Sequence, residues 1–241
     1  GMYAEDVDVA NELALLQKKF GWPKFFGNLN GKNNKERVVH IASIINQTNY
    51  SAAIQSTDQK VLKSIKRSNI SKEKMLETTR EAQKLGASSV SELILCLPED
   101  SLQAHLRSNF DLMDAEIETI RTHQTVMLPG AEMSSKAERA RFGTKTRFRV
   151  MPQTISSYNI FGEDFWCPEI DEICVANNTM PIEDYFEARC FNLTVEIFYN
   201  AAVCSELIKF LKFHQINASS FIHKVHLYLN ENKTKFLIIY E

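Results

Sequence analysis

The sequence predicts an α/β fold: a partial, TIM-like barrel of about four parallel βα units, followed by a mainly α-helical C-terminal extension. Three observations predict it. From Val7 to Leu128, amphipathic stretches alternate with short apolar runs at regular spacing, as in βα units that feed a parallel sheet. The run Leu93-Ile94-Leu95-Cys96-Leu97 is apolar at every position, as expected of a strand covered on both faces. The alternation ends at Pro129-Gly130, which places a boundary there. Residues 1–129 form the barrel units, and residues 130–241 form an extension packed on them.

The elements follow in order. Val9, Leu13, Leu16 and Phe20 recur at helical spacing, and Gly21-Trp22-Pro23 ends that helix before a short strand from Lys24 to Leu29. A second helix, from about Asn34 to Ile45, carries Val38, Ile41, Ala42 and Ile45 on one stripe, and a strand from Tyr50 to Ser56 follows. Asp58 starts a helical turn through Val61, Leu62 and Ile65, and Ser71 opens a longer helix ending at Leu85-Gly86. The third strand is Val90 to Leu97. Ser101 caps a helix bearing Leu102, Leu106, Phe110 and Met113, and the last parallel strand spans Thr119 to Leu128.

In the extension, Lys145 to Asn178 mixes short apolar pieces, turns and aromatics, and reads as irregular or short-stranded cover over the barrel mouth. Thr179-Met180-Pro181 opens a helix whose apolar pattern runs through Tyr185, Phe186, Leu193 and Phe198 and can continue to Phe213. A further helix runs from about Ala218 to Leu229.

The 241 residues suffice for a sizeable core, and a formal net charge of −2 gives no positive field for phosphate backbones. Nucleic acid is therefore not an expected partner. The first residues carry acids where a secretory leader would carry Lys or Arg, and no apolar run is long enough to span a bilayer. The expectation is a cytoplasmic protein with no membrane partner. The five cysteines, Cys96, Cys167, Cys174, Cys190 and Cys204, are odd in number and scattered, which predicts free thiols. His223 and His226, three apart, have no evident third partner for a metal.

Three segments carry a family resemblance. Ser91-Glu-Leu-Ile-Leu-Cys-Leu-Pro-Glu-Asp-Ser101 is similar to a strand ending in Glu-Leu-Ile-Leu-Gly-Leu-Pro-Gly. Ser51 to Ser71 pairs Gln55-Ser56 at a strand end with Lys66-Arg67 after the next helix. His123 to Met133 closes on Leu128-Pro-Gly-Ala-Glu132. In this order and spacing the segments resemble the fourth to sixth strands of radical S-adenosylmethionine (SAM) enzymes, most closely those with a cobalamin-binding domain ahead of the barrel. The similarity begins after the family's second strand. The Cys-x-x-x-Cys-x-x-Cys loop that ligates a [4Fe-4S] cluster in such enzymes has no counterpart here, and Cys167 and Cys174, seven positions apart, do not replace it.

In a barrel, ligands gather at the C-terminal strand ends, and the resemblance implies a partial SAM site there. Ser51, Gln55 and Ser56 are implied as polar contacts to SAM, and Arg67 as a fork for its carboxylate. Glu92, Leu95, Cys96, Leu97 and Met127 complete the implied set, with Leu95 and Leu97 meeting adenine through backbone groups. Two positions depart from the family: Cys96 and Glu99 stand where Gly is usual, and Gly serves where a backbone approaches a ligand or takes positive φ. Cys96, in its apolar strand, reads as an inert thiol. No catalytic residue and no metal ligand is assigned.

The function expected is the C-terminal portion of a radical SAM enzyme, supplying part of the SAM pocket and a substrate wall. It is expected to be inactive alone, with the [4Fe-4S] cluster and any cobalamin held only by the parent enzyme. The alternative is a noncatalytic binding or interaction module built on a barrel remnant. The missing N-terminal half of the barrel is the first expected partner. A homodimer through the strand edge at Lys24 to Leu29, where Phe25 and Phe26 would otherwise face water, is the second.

Overall fold

The computed structural model describes residues 3–24, 26, 35–45, 49–69, 71–84, 88–200 and 203–232; the side chains at 35, 39, 49–52, 78, 82, 152 and 153 are outside the description. Helix α1 (Asp6–Phe20) begins with Asp6 and Asp8 and ends with Lys18 and Lys19, charges that complement its dipole, and Gly21 terminates it at φ +65°. It packs through Ala10 against Ile41 and Ile45 of α2 (Lys35–Ile44) and the residue after it.

Three parallel strands follow, β1 (Asn49–Gln55), β2 (Ser88–Leu95) and β3 (Thr119–Gln124), in spatial order β1-β2-β3. Between them lie α3 (Gln59–Ser64), α4 (Lys72–Lys84) and α5 (Leu102–Asp114). The caps read from the sequence at Asp58 and Ser101 are in place, whereas the hydroxyl cap expected at Thr179 is not: Pro181 precedes that helix, and Thr179 Oγ1 donates to Asp100 O at 2.6 Å. Asp58 Oδ1 accepts the Lys60 and Val61 amides at 2.8 and 3.2 Å, and Ser101 Oγ accepts the Ala104 amide at 3.2 Å.

One face of the sheet is covered by helices. Ile54, Leu93 and Ile120 enter a core with Leu112, Met113, Phe191, Val195 and Ile222. The other face is not covered to the same degree: Val90, Glu92 and Ile94 alternate with buried neighbours and stay half-buried, while Arg121 and His123 are exposed. The sequence reading had β2 covered on both faces, and among the described residues only one face is closed. Three strands leave an open sheet, far short of the roughly eight that close a barrel. The TIM-like barrel is therefore not seen among the described residues. Of the strand expected at Lys24 to Leu29, only Lys24 and Phe26 lie within them.

The largest departure from expectation is in the extension. Instead of irregular or short-stranded cover, Lys145–Ile160 (β4) and Glu163–Ala176 (β5) form a long antiparallel ribbon, preceded by a 3₁₀ turn (Glu132–Ser134) and α6 (Lys136–Phe142). Gly143 ends α6 at φ +60°, a left-handed conformation that favours glycine, and a Cβ there would displace the exposed Asn178 side chain. Beyond the ribbon come α7 (Ile182–Val195), a π-helical turn (Glu196–Asn200), α8 (Ser205–Phe213) and α9 (Ala218–Glu231). The expected continuous helix to Phe213 is thus interrupted after Val195. α7 and α9 pack on α5, so the helical extension completes the layer that covers the sheet. Among the described residues no helix is long and apolar enough to cross a membrane.

Candidate functional site at the strand ends

The C-terminal ends of the three parallel strands carry most of the residues singled out from sequence, and two of the ends are in unusual backbone conformations. Gln55, the last residue of β1, has φ +63° and sits at a register shift in the pairing with β2. Cys96, just past β2, has φ +66°, and Glu99 has φ +65°. Cys96 and Glu99 are the two positions where the related motif has glycine. The backbone keeps the left-handed conformation with side chains present, at a cost of order 1 kcal/mol each.

The loop after β2 is held by a dense set of bonds. Asp100 accepts the Cys96 amide through Oδ2 and the Ser101 amide through Oδ1, both at 3.0 Å. Burial pushes the Asp100 carboxyl up to about 7, against the amides that pull it down. Leu97 O accepts from the Asp100 amide at 3.0 Å and from Asn177 Nδ2 at 2.8 Å. Leu95 O accepts both the amide and the hydroxyl of Thr125. The Cys96 amide and the Leu95 and Leu97 carbonyls, in the segment expected to meet adenine through its backbone, are thus bonded within the protein.

The base of the ribbon and the start of α7 cover this loop. Leu95, Cys96, Met127, Cys174, Val175, Met180 and Tyr185 form one apolar cluster, in which Cys96 is 1 % and Met127 4 % exposed. Met127 donates its amide to Glu172 O at 2.8 Å. Glu172 in turn takes both Arg139 terminal nitrogens, at 2.5 and 2.7 Å, and the Thr146 hydroxyl at 2.6 Å. Those bonds hold its carboxyl down to about 2.

At the β1 end, Gln55 and Ser56 are buried. Ser56 Oγ accepts the Asp58 amide and lies 3.4 Å from Ser108 Oγ, and Asn69 Nδ2 donates to the carbonyls of Ile54 and Ser56. Arg67 follows α3 and is exposed, its amide bonded to Leu62 O. Ser51 pairs with Val90 in the sheet, and its side chain is outside the description. Glu92 lies in mid-strand on the open face, beside Arg121 in register, with Oε1 3.5 Å from His123 Nε2.

The three motif segments, far apart in sequence, meet at this edge. Ser64 Oγ donates to Pro98 O at 2.7 Å, joining the first segment to the second. Lys66 Nζ lies 2.6 Å from Glu132 Oε1, joining the first to the third. Gln55, Ser56, Cys96, Leu97 and Met127 are therefore gathered at one end of the sheet, while Glu92 stands apart on its face.

Sequence reasoning missed Arg121 and His123, although the polar positions of Thr-Ile-Arg-Thr-His-Gln show one uncovered face. It also missed the pairing of Glu172 with Arg139 and the loop-holding role of Asn177, which depend on contacts 33 and 80 residues apart. Among the described residues, no three His, Cys, Asp or Glu side chains are placed to hold a metal ion. The five cysteines are all described, and none is in a disulfide.

No family model matches the chain. Over 238 residues, 95 % of the chain, it is 25 % identical to a 2-(S-pantetheinyl)-carbapenam-3-carboxylate methyltransferase of Streptantibioticus cattleyicolor, of which it covers 34 %. Over 224 residues, 88 % of the chain, it is 26 % identical to the cobalamin-dependent radical SAM methyltransferase TokK of Streptomyces tokunonensis, of which it covers 31 %. The chain thus spans about a third of the length of these curated relatives, and it is distantly related to methyltransferases, one of them a cobalamin-dependent radical SAM enzyme.

Proposed function

We propose that this chain forms the later part of the SAM pocket and a substrate-facing wall of a radical SAM methyltransferase, within a longer polypeptide whose other part holds the [4Fe-4S] cluster and cobalamin. The observation that carries this reading is the convergence of the three motif segments on one sheet edge through Ser64–Pro98 and Lys66–Glu132. The left-handed backbone retained at Cys96 and Glu99 supports it.

The donor set would supply part of a SAM pocket. Arg67, exposed at the edge, would take the carboxylate, since a guanidinium fork suits two carboxylate oxygens. Gln55 and Ser56 would face the ribose or amino-acid end. The described residues provide no ligands that fit the cluster. When bound, the cluster and SAM supply the radical chemistry and cobalamin carries the methyl group. This chain's share is binding, orientation and exclusion of water, with Glu92, Arg121 and His123 on the open face turned toward substrate.

A second reading, a noncatalytic binding module, is favoured by one feature: the Cys96 amide and Leu97 carbonyl are already bonded to Asp100 and Asn177. The gene separates the two. An in-frame Cys-x-x-x-Cys-x-x-Cys upstream of Gly1, in a product that binds SAM after anaerobic cluster reconstitution, supports the enzyme reading. An upstream sequence without the triad establishes the module.

A further inference from the structure

We propose that Cys96 and Cys174 are a peroxide-sensitive thiol pair, which closes to a disulfide and ties the loop after β2 to the base of the ribbon.

The pair is built from two elements that meet only in the tertiary structure. Cys96 follows β2, Cys174 lies in β5, and their Sγ atoms are 3.5 Å apart. Both backbones are held at that approach. The Cys96 amide is bonded to Asp100 Oδ2 at 3.0 Å, and Leu97 O takes Asn177 Nδ2 at 2.8 Å. The Cys174 amide reaches Thr125 O at 2.8 Å and the Thr125 amide reaches Leu95 O at 3.2 Å, so one residue joins the end of β2 to β5. A disulfide needs about 2.05 Å between its sulfurs. The remaining ~1.5 Å is a displacement that χ1 rotation at the two residues can supply.

Packing alone does not call for a thiol at the first position. Cys96 holds φ +66°, where a side chain strains the backbone and glycine would not. The side chain kept there is 1 % exposed and meets a second thiol that is 2 % exposed, a contact that glycine could not make.

Burial sets the class of oxidant. A bulky disulfide cannot reach these sulfurs in the folded chain, whereas hydrogen peroxide, little larger than water, can enter on local opening at the ribbon base. The ribbon favours such opening: residues 155–167 are all exposed, and a two-stranded ribbon is marginal by itself. Contact with Cys96 and the Arg139 guanidinium, against burial, pull the Cys174 thiol below its ordinary range, so Cys174 supplies the attacking thiolate.

The chemistry balances with one peroxide. The Cys174 thiolate attacks a peroxide oxygen, the O–O bond breaks, and the sulfur becomes a sulfenic acid while the departing hydroxide takes up the thiol's proton as water. The Cys96 sulfur then attacks the Cys174 sulfur. The S–S bond forms, the S–O bond breaks, and hydroxide leaves with the Cys96 proton as the second water. Two thiols have lost two electrons, and one peroxide has become two waters.

Peptide mapping of the folded chain after peroxide treatment tests the proposal, with Cys167→Ser to remove the exposed thiol. The five cysteines less Cys167 leave four thiols, of which the pair should lose two. After about 10 minutes in roughly 1 mM hydrogen peroxide, a catalase quench and unfolding in excess maleimide, the Cys96 and Cys174 peptides should be joined and the intact mass lower by about 2 Da. A reductant should restore all four thiols. In Cys96→Ala the Cys174 sulfenic acid has no resolving partner and should be captured by dimedone present during unfolding, whereas Cys96 in Cys174→Ala should stay a thiol. In the oxidised parent, the amides of residues 96–101 should exchange with deuterium at least several-fold more slowly. Recovery of Cys96 and Cys174 as thiols overturns the proposal, as does their oxidation without joining to each other, or a join that forms only in urea. Dimedone on Cys96 in Cys174→Ala, with none on Cys174 in Cys96→Ala, overturns the order of attack. Unslowed exchange overturns the tie on the loop.

Discussion

Cys96 and Cys174, 78 positions apart in sequence, bring their Sγ atoms to 3.5 Å inside the cluster that joins the end of β2 to the base of the ribbon. Contact with the Cys174 thiol, then burial, then the nearby Asp100 raise the Cys96 thiol well above its ordinary range. Cys167, by contrast, is exposed on β5. At pH 8 a maleimide should therefore label Cys167 within minutes and leave Cys96 and Cys174 unmodified until the protein is unfolded. Peptide mapping after timed labelling checks this. Native modification of Cys96 at a rate near that of Cys167 would refute the buried pair.

The two left-handed residues of the β2 loop should respond differently to glycine. Glu99 is half-exposed, and its ion pair with Lys60 at 3.5 Å involves a largely exposed lysine, so the pair is worth well under 1 kcal/mol. Glu99→Gly then mainly relieves the strain at φ +65° and should stabilise the fold by about 0.5–1 kcal/mol, read as a melting temperature about 1–4 °C higher. Cys96→Gly relieves similar strain but also empties a buried side-chain position, at about 1 kcal/mol or more, so no gain is expected there. A Glu99→Gly variant that melts lower than the parent would show that the strain argument fails.

The same residues show how far the sequence carried the fold. Asp58 and Ser101 were legible as caps because an N-cap is a local event, satisfied within three residues. The order of βα units was legible for the same reason: a helix or parallel strand that buries one face repeats its apolar residues at a fixed period. The ribbon was not legible. Phe148, Val150, Ile155 and Trp166 keep water contact in the chain, and the four residues of β4 between Val150 and Ile155 break the alternation that would have betrayed two strands. Nor could spacing reveal that Asn177 ties down Leu97, or that Arg139 neutralises Glu172, since neither partner lies on the same element. Of the candidate site, the gathering of Gln55, Cys96 and Met127 followed from the general rule about strand ends. The internal bonds that already engage Cys96 and Leu97 did not.

Asp100 and Glu172 should give the protein opposite pH dependences. The folded-state carboxyl of Asp100 lies at about 7, above its unfolded value, so the native state holds its proton more tightly, and stability falls as pH rises from about 4 to 7. Asp100→Asn should abolish that loss, raising stability at pH 7.5 relative to the parent by on the order of 2 kcal/mol, with little gain at pH 4.5. Urea midpoints at the two pH values provide the measurement. An equal effect at both would assign the change to packing and not to the proton.

Glu172 runs the other way. Its folded value of about 2 lies below the unfolded one, so its contribution is complete above about pH 4.5 and is lost as pH falls toward 2. Arg139→Ala removes the forked partner and should cost about 1–2 kcal/mol at pH 7, an amount reduced by the partial exposure of both side chains. The variant should also lose less stability than the parent on acidification, because the carboxylate it leaves behind is easier to protonate. Melting curves from pH 7 to pH 3 would show the two proteins converging; parallel curves would mean that the pair does not set the acid response.

The final prediction tests the SAM site itself, in the longer polypeptide proposed above. Arg67 is exposed and follows α3 by its backbone bond to Leu62 O, and among the described residues its guanidinium makes no side-chain bond on which the fold depends. Arg67→Ala should therefore change the melting temperature by no more than about 1–2 °C, as exposed substitutions generally do. If the guanidinium holds the SAM carboxylate, the same change should weaken SAM binding about tenfold or more, the usual loss when a charged hydrogen-bonding partner is removed. Arg67→Lys should recover only part of the affinity, because an ammonium supplies charge without the planar fork. Calorimetric titration with SAM of the cluster-loaded protein reads both variants. Binding unchanged in Arg67→Ala would remove Arg67 from the site, and full recovery in Arg67→Lys would reduce its role to that of a point charge.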